Sequence, residues 1–393
     1  MSLTQPAPPP PTPLGRYRVL SPRAGIRVSP LALGAMSIGD QWAKLGMGAM
    51  DKDASFKLLD AYFDAGGNFI DTANNYQDET SEMFIGEWME TRAIRDQLVI
   101  ATKYTTYYKH DDPAVKQRVN YVGNHIKSLH LSVRDSLRKL RTDYIDILYV
   151  HWWDWGTSIE EVVDSLHILK CTGKVLYLDA PAWVVVKANA YARQTGKSPF
   201  VIYEGQWNVL KRSFERDIIP MARAEGLALA PWDCLASGRL RTDAEEAARR
   251  ASGEKGRVLF DARWERSPAE RAMAAALDAV RAQVGAHSIQ AVALAYLLHK
   301  TAHVFPIVGG RKVEHLRANI EALSISLSPA HIRAIEAASG EFDVGFPGDL
   351  IGNGEEEGFM SKVAAVTDWW PVAQPISPAH PEAGDKAEAT EAK

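Results

Sequence analysis

The strongest constraint on the fold is an eightfold alternation of short apolar segments with longer amphipathic ones. The apolar segments are partly β-branched, and they predict strands at Leu31–Met36, Asn68–Ala73, Leu98–Lys103, Tyr144–His151, Lys174–Leu178, Phe200–Tyr203, Leu227–Trp232 and His303–Val308. The segments between them have helical periodicity, and they predict helices at Ala54–Ala65, Thr80–Thr91, Asn120–Leu140, Ile159–Cys171, Pro181–Thr195, Phe214–Glu225, Ile289–Lys300 and Val313–Leu323. Buried strands that alternate with helices favour a parallel sheet, and eight such strands can close into a barrel filled by side chains.

The sequence therefore predicts an α/β protein, a (β/α)8 TIM barrel with an N-terminal β-hairpin. The hairpin is predicted from Arg16–Leu20 and Ile26–Val28, which flank a turn with a glycine. A doubly wound sheet is the weaker alternative, because Gly34–Gly39 lacks the glycine spacing of a phosphate loop after the first strand. The charged segment Arg239–Glu265 is expected to be a long loop.

The chain is expected to have one barrel domain with extensions at both ends. We predict a disordered proline-rich arm at 1–15, the barrel at 16–340, a segment packed on the barrel at 341–370 and a disordered tail at 371–393. The N-terminus has no signal-peptide pattern, and no apolar run approaches the roughly 18–20 residues of a membrane helix. We therefore expect a cytoplasmic protein.

Composition limits the possible partners. The chain has 393 residues and a net charge of −4, which gives no indication of nucleic acid or an anionic membrane as a partner. Its two cysteines, Cys171 and Cys234, provide neither a disulfide framework nor a zinc cluster. A small molecule is the expected partner, and the sequence leaves the oligomeric state open.

Four ionisable residues follow consecutive predicted strands. Asp71, Lys103 and His151 end the second, third and fourth strands, and Tyr76 lies in the loop after the second. In a closed barrel these positions lie at the carboxyl-terminal mouth, where active sites of such barrels are found. We therefore expect the four side chains to meet there.

The chemistry of these residue types suggests a division of roles. A free tyrosine, with a pKa of about 10, is a weak acid, and a nearby lysine cation lowers that pKa. Tyr76 is thus predicted to protonate a carbonyl oxygen beside Lys103, Asp71 to hold Lys103, and neutral His151 to orient the oxygen. A metal-dependent hydrolase using His151 and Asp154 is an alternative, but no companion histidine pair ends the first strand.

The chain resembles the aldo-keto reductases, and most of all their fungal aryl-alcohol dehydrogenase and norsolorinic-acid-reductase branch. The resemblance covers about Tyr17 to Gly340. Its segments are Phe69–Tyr76, Ala101–Tyr104, Leu148–Trp153, Phe214–Ala222, Ala228–Asp233 and Pro306–Asn319. It implies a (β/α)8 barrel, NADPH bound without a Rossmann domain, and a catalytic tetrad of Asp71, Tyr76, Lys103 and His151.

The segment after the eighth strand suits a dinucleotide. Gly309 and Gly310 precede a helix, and backbone N–H groups at such a turn can bind pyrophosphate. Arg311 and Lys312 offer cations for a 2′-phosphate, which favours NADPH over NADH. The resemblance further implies that His315 and Asn319 lie against the adenosine and that Trp232 stacks on the nicotinamide.

Two positions depart from the pattern that the resemblance implies for the nicotinamide carboxamide. Family members usually end strand five with Gly-Val-Ser before Asp or Asn, whereas this chain passes from Leu178 directly to Asp179, about three residues short. The glutamine usual on strand six is Glu204 here. A carboxylate accepts hydrogen bonds but cannot donate to the carboxamide oxygen. Asp179 and Glu204 are therefore the expected but imperfect contacts.

The predicted function is NADPH-dependent, reversible reduction of an aryl aldehyde or ketone to the alcohol. Trp42, Trp152 and Trp153 near the mouth offer flat apolar walls that favour aromatic substrates. The alternative is a catalytically impaired NADP(H)-binding homologue, because of Glu204 and the short end of strand five.

Overall fold

The centre of the protein is a barrel of eight parallel strands. The computed structural model describes residues 5–43, 47, 49–110, 112–180, 183–253, 263–340 and 342–378. An antiparallel hairpin of β1 (Arg18–Ser21) and β2 (Ala24–Val28) precedes the barrel. The barrel strands are β3 (Ala32–Gly34), β4 (Phe69–Asp71), β5 (Val99–Tyr104), β6 (Ile145–Val150), β7 (Val175–Asp179), β8 (Ile202–Gln206), β9 (Ala228–Trp232) and β10 (Ile307–Gly309).

The barrel strands pair in the order β10-β3-β4-β5-β6-β7-β8-β9. Two backbone hydrogen bonds join the ends of this sheet: Leu229 N donates to His303 O at 2.9 Å, and Phe305 N donates to Leu229 O at 2.8 Å. The predicted (β/α)8 barrel and N-terminal hairpin are therefore confirmed. All eight predicted strands overlap observed ones.

Helices surround the barrel. They are α1 (Lys52–Asp64), α2 (Thr80–Arg92), α3 (Ile126–Lys139), α4 (Ile159–Cys171), α5 (Val184–Gln194), α6 (Ile218–Glu225), α7 (Asp243–Ser252), α8 (Pro268–Val284), α9 (Ile289–Lys300), α10 (Val313–Ile320), α11 (Pro329–Ala338), α12 (Gly348–Ile351) and α13 (Phe359–Ala364). None of the helices in these described ranges is both long and apolar enough to cross a lipid bilayer.

Some predicted helix boundaries were wrong. The helix predicted from Asn120 begins only at Ile126, because the His125 side chain accepts a hydrogen bond from Ser128 N and caps it there. The helix predicted from Phe214 begins at Ile218, after a separate 3-10 turn. Pro181, the predicted start of the next helix upstream, lies outside the described residues.

The predicted loop Arg239–Glu265 instead contains a helix with a buried ion cluster. Thr242 and Glu245 form a capping box at the start of α7. Glu246, only 2% exposed, lies 3.0 Å from Arg241 and 2.9 Å from Arg266, which are also buried. Residues 254–262 of this segment lie outside the described part.

Apolar side chains fill the barrel interior. Edge-to-face rings of Phe69 and Phe305, with centroids 6.5 Å apart, lie among buried alanine, valine and isoleucine side chains from most of the strands. A larger cluster packs between the barrel and its helices. Since side chains fill the barrel interior, an active site is expected at the carboxyl-terminal ends of the strands.

The terminal segments contact the barrel at a few points. Leu14 is fully buried, and Thr12 Oγ1 donates to Ala65 O at 2.6 Å. Near the other end, Arg223 Nη2 lies 2.7 Å from Glu355 Oε1, whereas Trp370 is 89% exposed. The domain boundaries at 15, 340 and 370 remain predictions, and 379–393 lie outside the described residues.

The ion cluster in α7 leads to a prediction for stability. Glu246→Ala leaves two buried guanidinium groups without their shared carboxylate, and it should lower the free energy of unfolding by about 3 kcal/mol. Urea denaturation measures the change. The matched control is Glu265→Ala, which removes an exposed ion pair with Arg250 in the same segment and should hardly move the midpoint. Equal midpoint shifts would contradict the assigned role of the cluster.

Candidate functional site

A buried ion pair lies at the centre of the barrel mouth. Lys103 Nζ is 2.6 Å from both carboxylate oxygens of Asp71 and 2.9 Å from Thr72 O. Asp71 pairs with Ala101 on the adjacent strand, so Lys103 projects from the same face two residues further along. Burial opposes the charge on Lys103, but the carboxylates of Asp71 and Glu204 outweigh it and raise the lysine pKa.

Tyr76 lies beside this pair. The centre of its ring is 5.3 Å from Lys103 Nζ, and the residue is 9% exposed. Burial raises the pKa of Tyr76 above its usual value, while the Lys103 charge acts in the opposite direction. Lys103 thus acts on this pKa in the predicted direction, but desolvation of the phenolate outweighs the lysine, so the pKa does not fall below its usual value.

His151 completes the group of four side chains. Its ring meets the Tyr76 ring edge-on at 6.0 Å, and its Nδ1 is 3.0 Å from Thr106 Oγ1. Burial, followed by the Lys103 charge, lowers the pKa of His151 well below its usual value. The imidazole is therefore neutral at neutral pH, the form that can interact with a carbonyl oxygen without adding charge.

Two more carboxyl groups face the ion pair. Glu204 Oε2 lies 3.5 Å from Lys103 Nζ, and burial together with the Asp71 charge raises the pKa of Glu204 to about 8, against the attraction of Lys103. Asp179, at the end of β7, is 1% exposed, and neither oxygen has a hydrogen-bond partner of normal geometry among the described residues. Burial and the Glu204 charge raise its pKa well above the usual value, against Lys103 and the Ala180 amide.

Tyr149 is a further residue of this site that the sequence analysis missed. Its ring lies 5.0 Å from Lys103 Nζ, and its buried hydroxyl has no hydrogen-bond partner in the described part of the chain. Strand register places it between Lys103 and Asp179. The sequence could have indicated this residue, because side chains two positions apart in a strand point to the same face and Tyr149 precedes His151 by two positions.

The predicted cofactor segment lies at the mouth of the barrel. Gly309 ends β10, Lys312 is the N-cap residue of α10, and Arg311 and Lys312 are both exposed. Asn319 is buried and follows His315 by four positions, so both share a face of α10. A Cβ at Gly309 would lie 3.7 Å from Gly34 O, an ordinary van der Waals distance, so packing within the protein does not itself require glycine there.

The predicted aromatic walls differ in exposure. The Trp42 ring meets Tyr76 edge-on at 6.1 Å, and the Trp152 ring, 55% exposed, stacks on His151 at 5.2 Å. Trp153 instead packs partly against the core outside the barrel. Trp232 ends β9 half-buried.

A second aromatic pair near the mouth was also missed. Trp155 and Trp183 follow β6 and β7, are 69% and 61% exposed, and have ring centroids 6.2 Å apart. The sequence signal was available in Trp152-Trp153-Asp154-Trp155, in which the third tryptophan was passed over.

Asp154 has a structural role in this loop. Its carboxylate accepts hydrogen bonds from Asn124 N at 2.7 Å, Gly156 N at 3.0 Å, and Thr157 N and Oγ1 at 2.9 Å. These bonds occupy the carboxylate that the hydrolase alternative requires as a ligand. The described residues contain no cluster of three or more potential metal ligands.

Comparison with known proteins agrees with this geometry. The aldo/keto reductase family model matches residues 30–339. An aryl-alcohol dehydrogenase [NADP(+)] of Phanerodontia chrysosporium is 58% identical over 96% of this chain and 100% of its own length. Norsolorinic acid reductase A of Aspergillus parasiticus is 46% identical over 95% and 96%. The chain therefore belongs to the aldo/keto reductase family.

Proposed function

We propose that this protein reduces aryl aldehydes or ketones to alcohols, reversibly, with NADPH as hydride donor and Tyr76 as proton donor. Family membership makes the chain an NADP-dependent oxidoreductase that acts on carbonyl compounds. The observation that carries the finer proposal is the position of Tyr76 between Lys103 and His151 at the barrel mouth.

The protonation states of these residues suit reduction. Bound NADPH supplies hydride from nicotinamide C4 to the carbonyl carbon. The phenol of Tyr76 carries a proton at neutral pH, as a tyrosine with the usual pKa of about 10 also does, and donates it to the carbonyl oxygen. Burial raises this pKa and disfavours the transfer, whereas the Lys103 charge favours it. The Lys103 ammonium stabilises the phenolate that remains, Asp71 holds the ammonium, and neutral His151 orients the oxygen.

The residues fit NADPH well at one end and less well at the other. Gly309 and Gly310 would hold the pyrophosphate at the turn, Arg311 and Lys312 would supply positive charge for the 2′-phosphate, and His315 and Asn319 would lie against the adenosine. At the nicotinamide end, Trp232 would stack on the ring, and Asp179 and Glu204 would accept hydrogen bonds from the carboxamide NH2.

The aromatic side chains at the barrel mouth favour an aromatic substrate. Trp42 and Trp152 place flat apolar surfaces beside Tyr76 and His151, which suits a planar ring. The similarity to a protein named as an aryl-alcohol dehydrogenase supports the same class of substrate. Trp153 contributes more by supporting this loop on the core.

A specific observation favours a second candidate function, an NADP(H)-binding homologue with impaired catalysis. Glu204 lies 3.5 Å from Lys103 and adds a second carboxyl group to the lysine that Tyr76 depends on. With Gly-Val-Ser absent before Asp179, the carboxamide also loses donors that would orient the hydride.

Tyr76→Phe tests the proposed acid. The change removes the proton donor but keeps the ring, so it should lower turnover of benzaldehyde by at least about 100-fold and leave the NADPH dissociation constant unchanged. Loss of NADPH absorbance measures turnover, and fluorescence titration measures binding. Undiminished turnover would refute the role of Tyr76.

Restoring the family residues tests the impaired alternative. Glu204→Gln, alone and combined with Gly-Val-Ser inserted between Leu178 and Asp179, should raise NADPH affinity and turnover above pH 8, where an ionised Glu204 has no O–H to donate and the carboxamide therefore regains a donor. An inserted Gly-Gly-Gly, which restores length without the serine, is the matched control. If neither affinity nor turnover rises in the restored variants, the nicotinamide end is not impaired.

Glu204 also predicts a pH dependence of cofactor preference. Its pKa of about 8 means that the carboxyl is neutral below that pH and negative above it. The negative charge attracts the cationic ring of NADP+, so the ratio of the NADPH to the NADP+ dissociation constant should rise as the pH passes 8. Titrations of both cofactors from pH 6 to pH 9 measure the ratio. Glu204→Gln should abolish the step, and a step that persists would assign it to another group.

A further inference from the structure

The turn that follows Tyr76 has an uncommon backbone. Gln77, Asp78 and Glu79 have φ values of 52°, 49° and 78°, so three consecutive residues other than glycine are left-handed. Such a run persists only where surrounding contacts determine it, and it often marks a functional site. We refer to residues 77–79 as the left-handed turn.

Contacts on both sides hold this turn. Glu79 forms ion pairs with Lys109, in the loop after β5, at 2.8 Å and with Lys139, at the end of α3, at 3.0 Å. Gln77 is fully buried, and its Nε2 donates to Met36 O at 2.8 Å. A side chain at Gly39 would come within 2.6 Å of Gln77 Cβ, so the loop after β3 packs closely against the turn.

The left-handed turn accepts two hydrogen bonds from Trp42. Gln77 Oε1 accepts from the Trp42 backbone N–H at 2.9 Å, and Asp78 Oδ1 accepts from the indole Nε1–H at 2.9 Å. The first bond fixes the backbone of Trp42, and the second fixes the orientation of its ring. The ring thereby meets Tyr76 edge-on, at an interplanar angle of 73°.

We propose that Asp78 is a specificity-determining residue that fixes the Trp42 indole beside Tyr76 as the wall for an aryl substrate. The inference rests on the proposed function and deepens it. Asp78 acts through Trp42 and is therefore a positioning residue. Gln77 and Glu79, by contrast, hold the turn itself.

Holding the Trp42 ring in one orientation before the substrate arrives reduces the entropic cost of substrate binding. A tryptophan at a solvent-facing mouth loses rotamer freedom when a substrate ring packs on it, and the hydrogen bond to Asp78 removes that freedom beforehand. The benefit concerns substrates large enough to touch the wall. A small aliphatic aldehyde needs Tyr76 but no flat wall, so Asp78 should matter little for it.

The test compares Asp78→Gly and Asp78→Asn with the wild type, each also combined with Trp42→Phe. Glycine tolerates a positive φ and lacks the acceptor, whereas asparagine tolerates it and keeps an acceptor oxygen. Asp78→Gly should lower kcat/KM for benzaldehyde about tenfold through KM, the factor for one hydrogen bond of about 1.4 kcal/mol. Propanal turnover should stay within about twofold, and Asp78→Asn should retain benzaldehyde activity.

The Trp42→Phe background isolates the indole bond. Phenylalanine has no N–H, so Asp78→Gly should cause no further loss for benzaldehyde in that background. Equal losses for benzaldehyde and propanal, or an undiminished loss beside Trp42→Phe, would overturn the proposal.

A second readout separates this inference from the proposed function. The dissociation constant of benzyl alcohol with the NADP+-loaded protein, measured by fluorescence quenching, needs no turnover. A wild type that binds benzyl alcohol without reducing any aldehyde would contradict the proposed function alone. Asp78→Gly should still weaken that binding about tenfold, and unchanged binding would refute the role of Asp78.

Discussion

The site depends on one buried ion pair, Lys103 with Asp71. A lysine that is 1% exposed stays charged because both Asp71 oxygens lie at 2.6 Å and Thr72 O at 2.9 Å, with Glu204 adding to their effect at 3.5 Å. Removing either partner would leave an uncompensated charge in the barrel mouth. The pairing of adjacent strands β4 and β5 must therefore be exact, and the surrounding barrel provides that precision. The roles proposed for Tyr76 and His151 depend on where these residues lie relative to this fixed charge.

The barrel itself could be read from the sequence because its strands are short, apolar and separated by helical periods. Helix boundaries were less predictable, since they depend on local caps such as the His125 side chain at the start of α3. The helix α7 was missed because its charged composition resembles a loop. Its Glu246 is stabilised by burial against Arg241 and Arg266, a tertiary effect that periodicity does not contain.

The meeting of the four ionisable side chains at the barrel mouth was predictable, whereas their pKa values were not. The sequence predicted that Lys103 would lower the pKa of Tyr76. It gave no measure of how deeply the phenol is buried, and burial raises that pKa. Glu204 was expected to face only the carboxamide, yet it also lies 3.5 Å from Lys103. The first difference arises from burial, and the second from the positions of side chains on separate strands; both depend on how the whole barrel packs.

The charge balance at the mouth changes how Glu204 should be understood. One ammonium faces the carboxyl groups of Asp71, Asp179 and Glu204, and a buried site does not hold two uncompensated negative charges. Below pH about 8, Glu204 is therefore a carboxylic acid, which has an O–H group. In that form it can donate to the carboxamide oxygen, as a glutamine NH2 does. Under the proposed function, neutral Glu204 would supply the donor that the resemblance implies for a glutamine at this position, and ionisation would remove it.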